Sequence, residues 1–585
     1  MCGIAGIIST NNFLKSKITQ MLQSMNHRGP DETGTLMMDN FVFGHNRLSI
    51  LDIDNGSQPM KSHCKKFSIT FNGEIYNYKN LRNNLTYEFR TRSDTEVILA
   101  LYIKYGKNMF SHIQGMFAFG IYDDINNSFI LARDRFGQKP LFYSRTRDGE
   151  LIFASEVKGI LSTGLVSKEI RYDALTDYLE NLYIPSNKTI YKHIHSLPPG
   201  HYLEFKNKQI FIKKYFELPI TENISENDAI EIFKSSLESA VKSHLNADVE
   251  VGAFLSGGVD SSTIVALASK YHNKLKTFSF DMGGEKSELF YAQQISKKYS
   301  TEHYIESINE KELPDLILKM SKVFDEPFGD SSAIPTYLIS KLASKHVKVV
   351  LSGDGADELL GGYEWWYSHL AKFNLKDFWA KGIGKNEINL FLKKFIALTR
   401  YRSYLNAHIN KPGFFSKQSI AKIINNNPKH LIESNFVIEN SPNDVLKRDL
   451  TYYMPGDILV KIDRASMANS LEIRSPFLDD NFASFCISLP FDLKLQHQES
   501  KMILRKAYSS LLTSKINNRS KQGFGGPISN WFQIKNMKEF KKSYLDKDRR
   551  IFNFLSYKNT SEFINRNNYQ TWALLILSIW FEENL

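Results

Sequence analysis

The chain contains few cysteines and no long apolar run. Its three cysteines, Cys2, Cys64 and Cys486, are too few and too scattered for a disulfide framework or a CxxC metal site, and they suit a reducing compartment. The most apolar late stretch, 572–581, has about half of the roughly 20 residues that span a bilayer. We therefore expect a buried helix there and no membrane span. No basic segment precedes an apolar core at the amino terminus, so we predict a cytoplasmic protein without a secretory signal.

Charge of one sign is not in large excess. Lys and Arg number 74 against 63 Asp and Glu, and the resulting net charge of +11 is modest for 585 residues. The basic runs KSHCKK, HINKPGFFSKQ and KKSYLDKDRR are interpreted as solvated surfaces, and no nucleic-acid partner is predicted. Hydrophobic residues at 42% and charged residues at 23% exclude fibrous and wholly disordered classes. This length predicts two or more domains.

The first 160 or so residues carry short β-rich runs separated by turn residues, among them FVFGHNRLSIL, FSITFNGEIYN and MFAFGIYDD. Their spacing predicts an antiparallel sheet. Helical periodicity at 17–25 and 95–105 makes this domain α+β rather than all-β. The pattern weakens between 172 and about 216, around Pro185 and the PPG turn, which predicts a connecting region.

Beyond that region the pattern changes to alternating helices and buried strands. A helix at 227–245 leads into a strand at 249–255, the Gly-rich turn SGGVDSS and a helix at 263–271. The segments KTFSF and VKVVLSG read as further buried strands between helices, so we predict an α/β domain with a parallel sheet. From about Trp365 to the end, aromatic and basic helical segments dominate. The predicted segments are 1–190, a connecting region at 191–225, and 226–585.

Cys2 becomes the first residue once the initiator Met is removed. A free α-amino group has a pKa of about 7.7 to 8.0, so it can accept a proton from the adjacent thiol and return one to a leaving amine. A single residue would then supply both nucleophile and base. Taken alone, Cys2 is more readily interpreted as a small buried residue that opens a strand.

Other motifs in the same domain decide between these interpretations. MCGIAG is followed by HRGPD at 27–31, RLSILD at 47–52, NGEIYN at 72–77 and RTRSDTE at 90–96. This ordered set resembles the class II glutamine amidotransferases, and GMFAFGIYD, ARDRFGQKPL and FASEVK extend the resemblance across the domain. The family's fold, an αββα sandwich of the Ntn-hydrolase type, is therefore expected for 1–190.

The resemblance implies a role for each of several residues, although each of them alone has a structural interpretation. Arg47 would hold the carboxylate of glutamine and Asp94 its α-ammonium, while the Asn72 side chain and the Gly73 N–H would form the oxyanion hole. These assignments agree with the chemistry of an Arg fork, a carboxylate and amide donors. The remaining residues of the implied glutamine pocket are Leu48, Ser49, Ile50, Leu51 and Glu74.

SGGVDSS lies where small residues and a helix amino terminus could cradle phosphate. It lacks the GxxxxGK[ST] pattern of a Walker A loop, which argues against a kinase. It resembles instead the pyrophosphate loop of the N-type ATP pyrophosphatases, which transfer adenylate to a carboxylate. The resemblance implies ATP contacts at Leu255, Ser256, Gly257, Gly258, Asp260, Ser261, Phe280, Ser352 and Gly353.

Two further motifs, LSGDGADELLGGY at 351–363 and DRASMANSLEIRSPFLD at 463–479, resemble the synthetase domain of asparagine synthetases. Asp260 and Asp357 match that family's metal positions and suit Mg²⁺, which prefers oxygen ligands. Asp354 stands where the best-known members carry Glu. Lys521 matches a lysine that stabilises charge during adenylation, although a solvated loop lysine is the other interpretation.

Together the resemblances imply a glutamine-hydrolysing asparagine synthetase. Ammonia released from glutamine at Cys2 would pass through an internal tunnel to a β-aspartyl-AMP formed from ATP and aspartate in an ATP-pyrophosphatase domain at 226–585. The products would be asparagine, glutamate, AMP and pyrophosphate. An alternative keeps this chemistry and changes the acceptor to another carboxylate, such as a uronic acid in surface polysaccharide assembly. A homodimer is inferred only from relatives.

Overall fold

A computed structural model describes residues 1–283, 288–363, 367, 414–425, 441–496, 499–520 and 522–585. Lys521 and part of the helical region predicted after Trp365 lie outside these described residues.

Most strands belong to three sheets. They are β1 Gly3–Ile8, β2 Glu32–Met37, β3 Phe41–Arg47, β4 Met60–Lys61, β5 Phe67–Ile75, β6 Gly115–Asp123, β7 Ser128–Arg133, β8 Phe142–Arg145, β9 Leu151–Ala154, β10 Ile194–Ser196, β11 His201–Lys206, β12 Gln209–Lys214, β13 Val251–Phe254, β14 Lys276–Asp281, β15 Glu302–Ser307, β16 Val349–Leu351, β17 Glu472–Arg474, β18 Leu495–Gln496 and β19 Glu499–Ser500.

The α-helices surround these sheets and dominate the carboxyl-terminal part. They are Asn12–Lys15, Ile18–Ser24, Tyr78–Asn83, Asp94–Tyr105, Val157–Leu161, Tyr172–Asn181, Glu226–His244, Val259–Ala268, Leu289–Tyr299, Leu313–Val323, Ala333–Ala343, Ala356–Leu360, Lys417–Ile423, Pro442–Thr451, Leu459–Met467, Asp480–Ser488, Phe491–Lys494, Met502–Tyr508, Ser514–Asn517, Ile528–Trp531, Lys535–Tyr544, Ile551–Phe554, Tyr557–Ile564 and Tyr569–Asn584. Short 3₁₀ turns lie at Asn26–Arg28, Gly106–Ser111, Glu310–Glu312 and Pro476–Leu478, and a π-helical turn lies at Met454–Ile458.

The amino-terminal part is a sandwich of two six-stranded antiparallel sheets, ordered β10-β8-β9-β1-β3-β2 and β12-β11-β7-β6-β5-β4. β1 and β3 contact β5 across the interface between the sheets. Helices Ile18–Ser24 and Val157–Leu161 pack on the first sheet, and Asp94–Tyr105 packs on the second. The last of these begins where the Ser93 side chain accepts a hydrogen bond from the Glu96 N–H. The expected αββα sandwich is confirmed.

Three strands of this sandwich come from the predicted connecting region, 191–225. β10 pairs with β8, and β11 pairs with both β7 and β12, so this segment completes both sheets. β12 is an edge strand whose side chains are mostly exposed, and it therefore lacks the apolar alternation that predicts a strand. The boundaries at 190 and 226 stay predictions.

The carboxyl-terminal part contains a five-stranded parallel sheet, ordered β15-β14-β13-β16-β17, which confirms the α/β expectation. The chain proceeds from β13 outward to β14 and β15, and β16 returns on the other side of β13. The carboxyl ends of β13 and β16 therefore form the switch point at which parallel sheets bind ligands. The helix after β13 is Val259–Ala268, four residues earlier than predicted, because Gly258 is its N-cap.

One hydrophobic core joins the two parts, since buried residues such as Met1, Ile152 and Leu351 belong to a single cluster. The predicted apolar helix at 572–581 lies within Tyr569–Asn584, whose central side chains are buried. None of the helices in the described ranges is long and apolar enough to cross a membrane.

Candidate active sites

Cys2 immediately precedes β1 of the first sheet and contacts β5 of the second. Its backbone nitrogen donates a hydrogen bond to Asn72 Oδ1 at 2.9 Å, and its carbonyl accepts one from Arg28 Nε at 3.0 Å. Burial raises the pKa of the Cys2 thiol, and the Leu48 backbone N–H and the nearby amino terminus oppose that rise. These two neighbours favour the thiolate, the form that attacks carbonyl carbon.

Asn72 and Gly73 follow one another on β5. Asn72 is fully buried, and while its Oδ1 accepts from Cys2, its Nδ2 has no hydrogen-bond partner among the described residues. A buried amide donor without a partner costs free energy unless a ligand satisfies it. A Cβ at Gly73 would lie 2.1 Å from the Met116 carbonyl oxygen, so only glycine fits here. The arrangement suits an oxyanion that forms beside Cys2.

Arg47 ends β3 and is almost fully buried. Its Nη1 lies 3.2 Å from Glu32 Oε2, and its two Nη atoms also donate to the carbonyl oxygens of Leu51, Asp52 and Ile53. The guanidinium therefore already binds a carboxylate and shapes the loop of predicted pocket residues Leu48, Ser49, Ile50 and Leu51. Its predicted contact with glutamine stays a prediction.

Asp94 and Glu74 are buried carboxylates close to this loop. Asp94 Oδ2 accepts the Ile75 N–H at 3.0 Å, and burial raises the pKa of Asp94 to about 7. Burial also raises the pKa of Glu74 well above its ordinary value, although Glu74 Oε2 lies 2.9 Å from Arg474 Nη2. Arg474 belongs to β17, so Glu74 connects the predicted glutamine pocket to the parallel sheet. A bound ammonium would favour the ionised form of Asp94.

A cavity of about 1650 Å³ opens at the carboxyl ends of β13 and β16. Of the sequence-predicted nucleotide and metal residues, it is lined by Leu255, Ser256, Gly258, Asp260, Ser261, Phe280, Ser352, Gly353 and Asp357. Asp354, predicted as a catalytic residue, also lines it. Gly257 has φ +73° and its Cβ would lie 2.5 Å from the Ala292 nitrogen, so it shapes the turn without lining the cavity. Gly353 allows the two loops to approach, because a Cβ there would lie 2.9 Å from Asp260 Cβ.

The two predicted metal ligands flank a cation that the sequence analysis missed. Lys501 Nζ lies 2.5 Å from Asp260 Oδ2 and 2.6 Å from Asp357 Oδ1. Asp260 Oδ1 is buried and has no hydrogen-bond partner within the described ranges. No group of three or more His, Cys, Asp or Glu side chains in those ranges is arranged to hold a metal ion. Burial and the nearby charge of Asp357 raise the pKa of the neighbouring Glu358 to about 7.

A second cluster that the sequence analysis missed lies where the two parts meet. Arg28 is fully buried, and its two Nη atoms bind Asp463 at 2.8 and 2.9 Å while Nη1 also binds Glu156 at 2.8 Å. Arg464 Nη1 reaches Glu156 at 3.0 Å. Arg28 and Asp463 both belong to motifs that carry the family resemblance, which is the only signal that singles them out.

Comparisons with known proteins agree with this two-part arrangement. The family described as asparagine synthase matches residues 233–582, and that described as glutamine amidotransferase domain matches residues 1–216. Asparagine synthetase (glutamine-hydrolyzing) 1 of Bacillus subtilis (strain 168) is 33% identical over 100% of this chain and 97% of its own length. A putative asparagine synthetase of Mycobacterium tuberculosis is 32% identical over 90% of this chain and 86% of its own. A putative asparagine synthetase of Methanocaldococcus jannaschii is 40% identical over 62% of this chain and 76% of its own.

Proposed function

The chain belongs to the asparagine synthase family, and on that premise we propose that it hydrolyses glutamine at Cys2 and uses the nitrogen to convert aspartate and ATP to asparagine. The observation that carries the first half-reaction is the buried Asn72 Nδ2, which lacks a partner beside Cys2. The cavity at the switch point of the parallel sheet supports the second half-reaction.

In the first half-reaction the Cys2 thiolate attacks the side-chain amide of glutamine. Asn72 Nδ2 and the Gly73 N–H donate to the oxyanion, ammonia leaves, and water releases glutamate from the thioester. Removal of one oxyanion donor typically costs about 10²–10³ in kcat. Arg47 and Asp94 are proposed to orient the carboxylate and α-ammonium of the substrate, as the buried position of Asp94 supports.

In the second half-reaction the SGGVDSS turn would bind ATP, and the carboxylate of aspartate would be adenylated with release of pyrophosphate. Asp260 and Asp357 fit Mg²⁺ because they are carboxylates that already flank a cation and because Asp260 Oδ1 has no partner in the described residues. They would hold the ion, which would neutralise phosphate charge. Asp354 lines the cavity and is proposed to face the acceptor, while the role of Lys521 stays a prediction.

We also propose that the protein is cytoplasmic and that it forms a homodimer. The first fits the low cysteine content and the use of ATP. The second is tested by light scattering at enzyme concentrations used in the assays.

Product analysis tests the proposed function. Purified protein is incubated with Mg-ATP, aspartate and amide-¹⁵N glutamine, and the products are measured by mass spectrometry. We expect ¹⁵N-asparagine with equal amounts of AMP, pyrophosphate and glutamate. Glutamate without asparagine or AMP would refute aspartate as the acceptor while retaining the first half-reaction, and uronic acids would then be screened. Absence of glutamate would refute the glutaminase assignment.

A further inference from the structure

One buried carboxylate on the wall of the large cavity has an oxygen without a partner. Asp457 lines the cavity and is 7% exposed, and its Oδ1 accepts no hydrogen bond in the part of the chain that the structure describes. It lies in the π-helical turn Met454–Ile458, and such turns are frequent at functional sites. A buried polar atom without a partner costs free energy unless a ligand satisfies it. Asp457 therefore points to a ligand that carries an N–H donor.

The neighbouring carboxylate, Asp330, already has partners on both oxygens. Its Oδ2 accepts hydrogen bonds from Lys461 Nζ at 2.9 Å and from the Ser332 hydroxyl at 2.6 Å, and its Oδ1 accepts the Ser332 N–H at 2.9 Å. Burial would raise the pKa of Asp330, but these contacts hold it below its ordinary value. Burial and Asp330 raise the pKa of Asp457 well above its ordinary value. An ammonium bound at Asp457 would relieve the repulsion between the two carboxylates.

Lys461 supplies a positive charge on the same wall. It follows Asp457 by four residues, about one helical turn, and it lines the cavity with 9% of its surface exposed. Burial would lower the pKa of Lys461, but Asp330, Asp457 and Asp354 raise it above its ordinary value, so the side chain is charged. An ammonium has three N–H donors, and within the described ranges Lys461 uses one of them on Asp330. The others can bind a carboxylate.

Asp457 and Lys461 lie close to the loop that follows β16. Asp354 of this loop lines the same cavity and is near enough to raise the pKa of Lys461. Asp354 directly follows Ser352 and Gly353, two of the predicted ATP contacts. An acid that presents one carboxylate to the nucleotide beside Asp354 would therefore extend its remaining groups toward Asp457 and Lys461.

We propose that Asp457 binds the α-ammonium and Lys461 the α-carboxylate of the acceptor, so that the cavity selects an α-amino acid. This inference rests on the proposed function and adds the residues that choose the acceptor. Aspartate presents its β-carboxylate for adenylation and one opposite charge to each of the two side chains. A uronic acid has a carboxylate and hydroxyl groups but no ammonium, so it would leave Asp457 without an ionic partner.

Asp457→Asn is the informative variant. An amide has the size of a protonated carboxyl group and can also donate and accept hydrogen bonds, but it carries no negative charge. If Asp457 were only a protonated side chain of the core, the variant would bind the acceptor as the wild type does. Asp177→Asn is the matched control, because Asp177 lines the same cavity but its Oδ2 is paired with Lys188 Nζ at 2.5 Å.

The measurement is pyrophosphate release from Mg-ATP with saturating ammonium chloride, which does not need the glutamine site. The KM for aspartate is compared with the inhibition constant of succinate, which is aspartate without the α-ammonium. A hydrogen bond between charged groups changes affinity by about tenfold or more, so the wild type should bind aspartate at least that much more tightly than succinate. Asp457→Asn should raise the KM for aspartate by the same factor and leave the succinate constant unchanged. Asp177→Asn should keep the preference for aspartate.

Lys461 is tested with β-alanine, which is aspartate without the α-carboxylate. Lys461→Met should raise the KM for aspartate and leave the inhibition constant of β-alanine unchanged. Because this variant leaves Asp330 without its cation and can fail to fold, Asp457→Asn decides the proposal. Asp457→Asn should melt at or above the wild-type temperature, since it removes a repulsion with Asp330. A lower melting temperature with equal losses for aspartate and succinate would identify a structural role and overturn the proposal.

The outcomes separate this inference from the proposed function. Adenylation of aspartate with an unchanged preference over succinate in Asp457→Asn would refute the inference and retain the function. A wild type that adenylates a different α-amino acid, with the same dependence on Asp457, would refute aspartate and retain the inference. A wild type that adenylates a uronic acid but no amino acid would refute both.

Discussion

Replacement of Arg28 by Met tests how strongly buried charges connect the two parts of the chain. The Arg28→Met side chain fills a similar volume but leaves Asp463, among the described residues, with Arg464 as its ion-pair partner, whose nearest nitrogen is 3.7 Å away. Glu156 keeps Arg464 and Lys158, at 3.0 and 3.1 Å. Because breaking a buried ion pair from one side costs about 3–5 kcal/mol, we expect the free energy of unfolding to fall by that amount at pH 7.

The destabilisation caused by Arg28→Met should depend on pH. In the wild type burial would raise the pKa of Asp463, but Arg28 holds it below its ordinary value, so the ion pair stabilises at neutral pH and this stability is lost on acidification. In Arg28→Met the pKa of Asp463 should rise above its unfolded value, so the variant loses stability as pH increases. The difference between the two proteins should therefore be largest near pH 7 and smaller near pH 5.

Urea unfolding at both pH values measures these differences, and Asp463→Asn provides the matched partner. The double variant should be less destabilised than the sum of the two single variants by about 0.5–3 kcal/mol, the usual range for residues in one charge network. Additive effects, or a difference between wild type and Arg28→Met that does not change with pH, would refute the reasoning.

Three further predictions concern the sites. Cys2→Ala should abolish asparagine formation from glutamine but retain formation from ammonia, and loss of both in product assays would contradict two separate sites. The ionised form of Asp94 is needed to bind an ammonium, and burial raises the pKa of Asp94 to about 7 in the ligand-free protein. The KM for glutamine should therefore rise as the pH falls below about 7. A KM that does not depend on pH in the wild type, or one that does in Asp94→Asn, would argue against this contact. Lys501→Met should lower the melting temperature because Asp260 and Asp357 lose their shared cation, and Mg-ATP should restore it more in the variant than in the wild type; equal stabilisation of both would show that the ion does not bind these carboxylates.

Much of the fold follows from local patterns. Helix Glu226–His244 lies within one residue of its prediction because its apolar spacing is regular and Ser225 caps it. The helix at Val259–Ala268 starts four residues earlier than predicted. Asp260 and the two serines that follow it are weak helix formers, so their sequence does not predict a helix, but in the structure the SGGVDSS turn places them in the first turns of this helix. β12 is not predicted from the sequence because both of its faces are largely exposed, so its residues do not alternate between apolar and polar.

The sites are less predictable because their members are distant in sequence. The motifs supply Cys2, Asn72 and Asp260 through family resemblance, and the structure brings the first two into hydrogen-bond contact. Lys501 lies 241 residues from Asp260 in a segment without a recognisable pattern. Arg28 and Asp463 are 435 residues apart, and nothing in either local sequence says that they form a pair. Such pairings are decided by how the two parts pack, which periodicity does not encode.

The cluster around Arg28 limits how far the chain is modular. Each part supplies charges that the other part neutralises inside the protein. Separating the two parts would therefore expose Arg28, Glu156 and Asp463 to water or leave them buried without their partners. A chimera that takes one part from a relative with a different residue at any of these positions would assemble poorly even if both parts fold. Exchange between relatives is therefore expected to succeed only when the charged residues of both parts are transferred together.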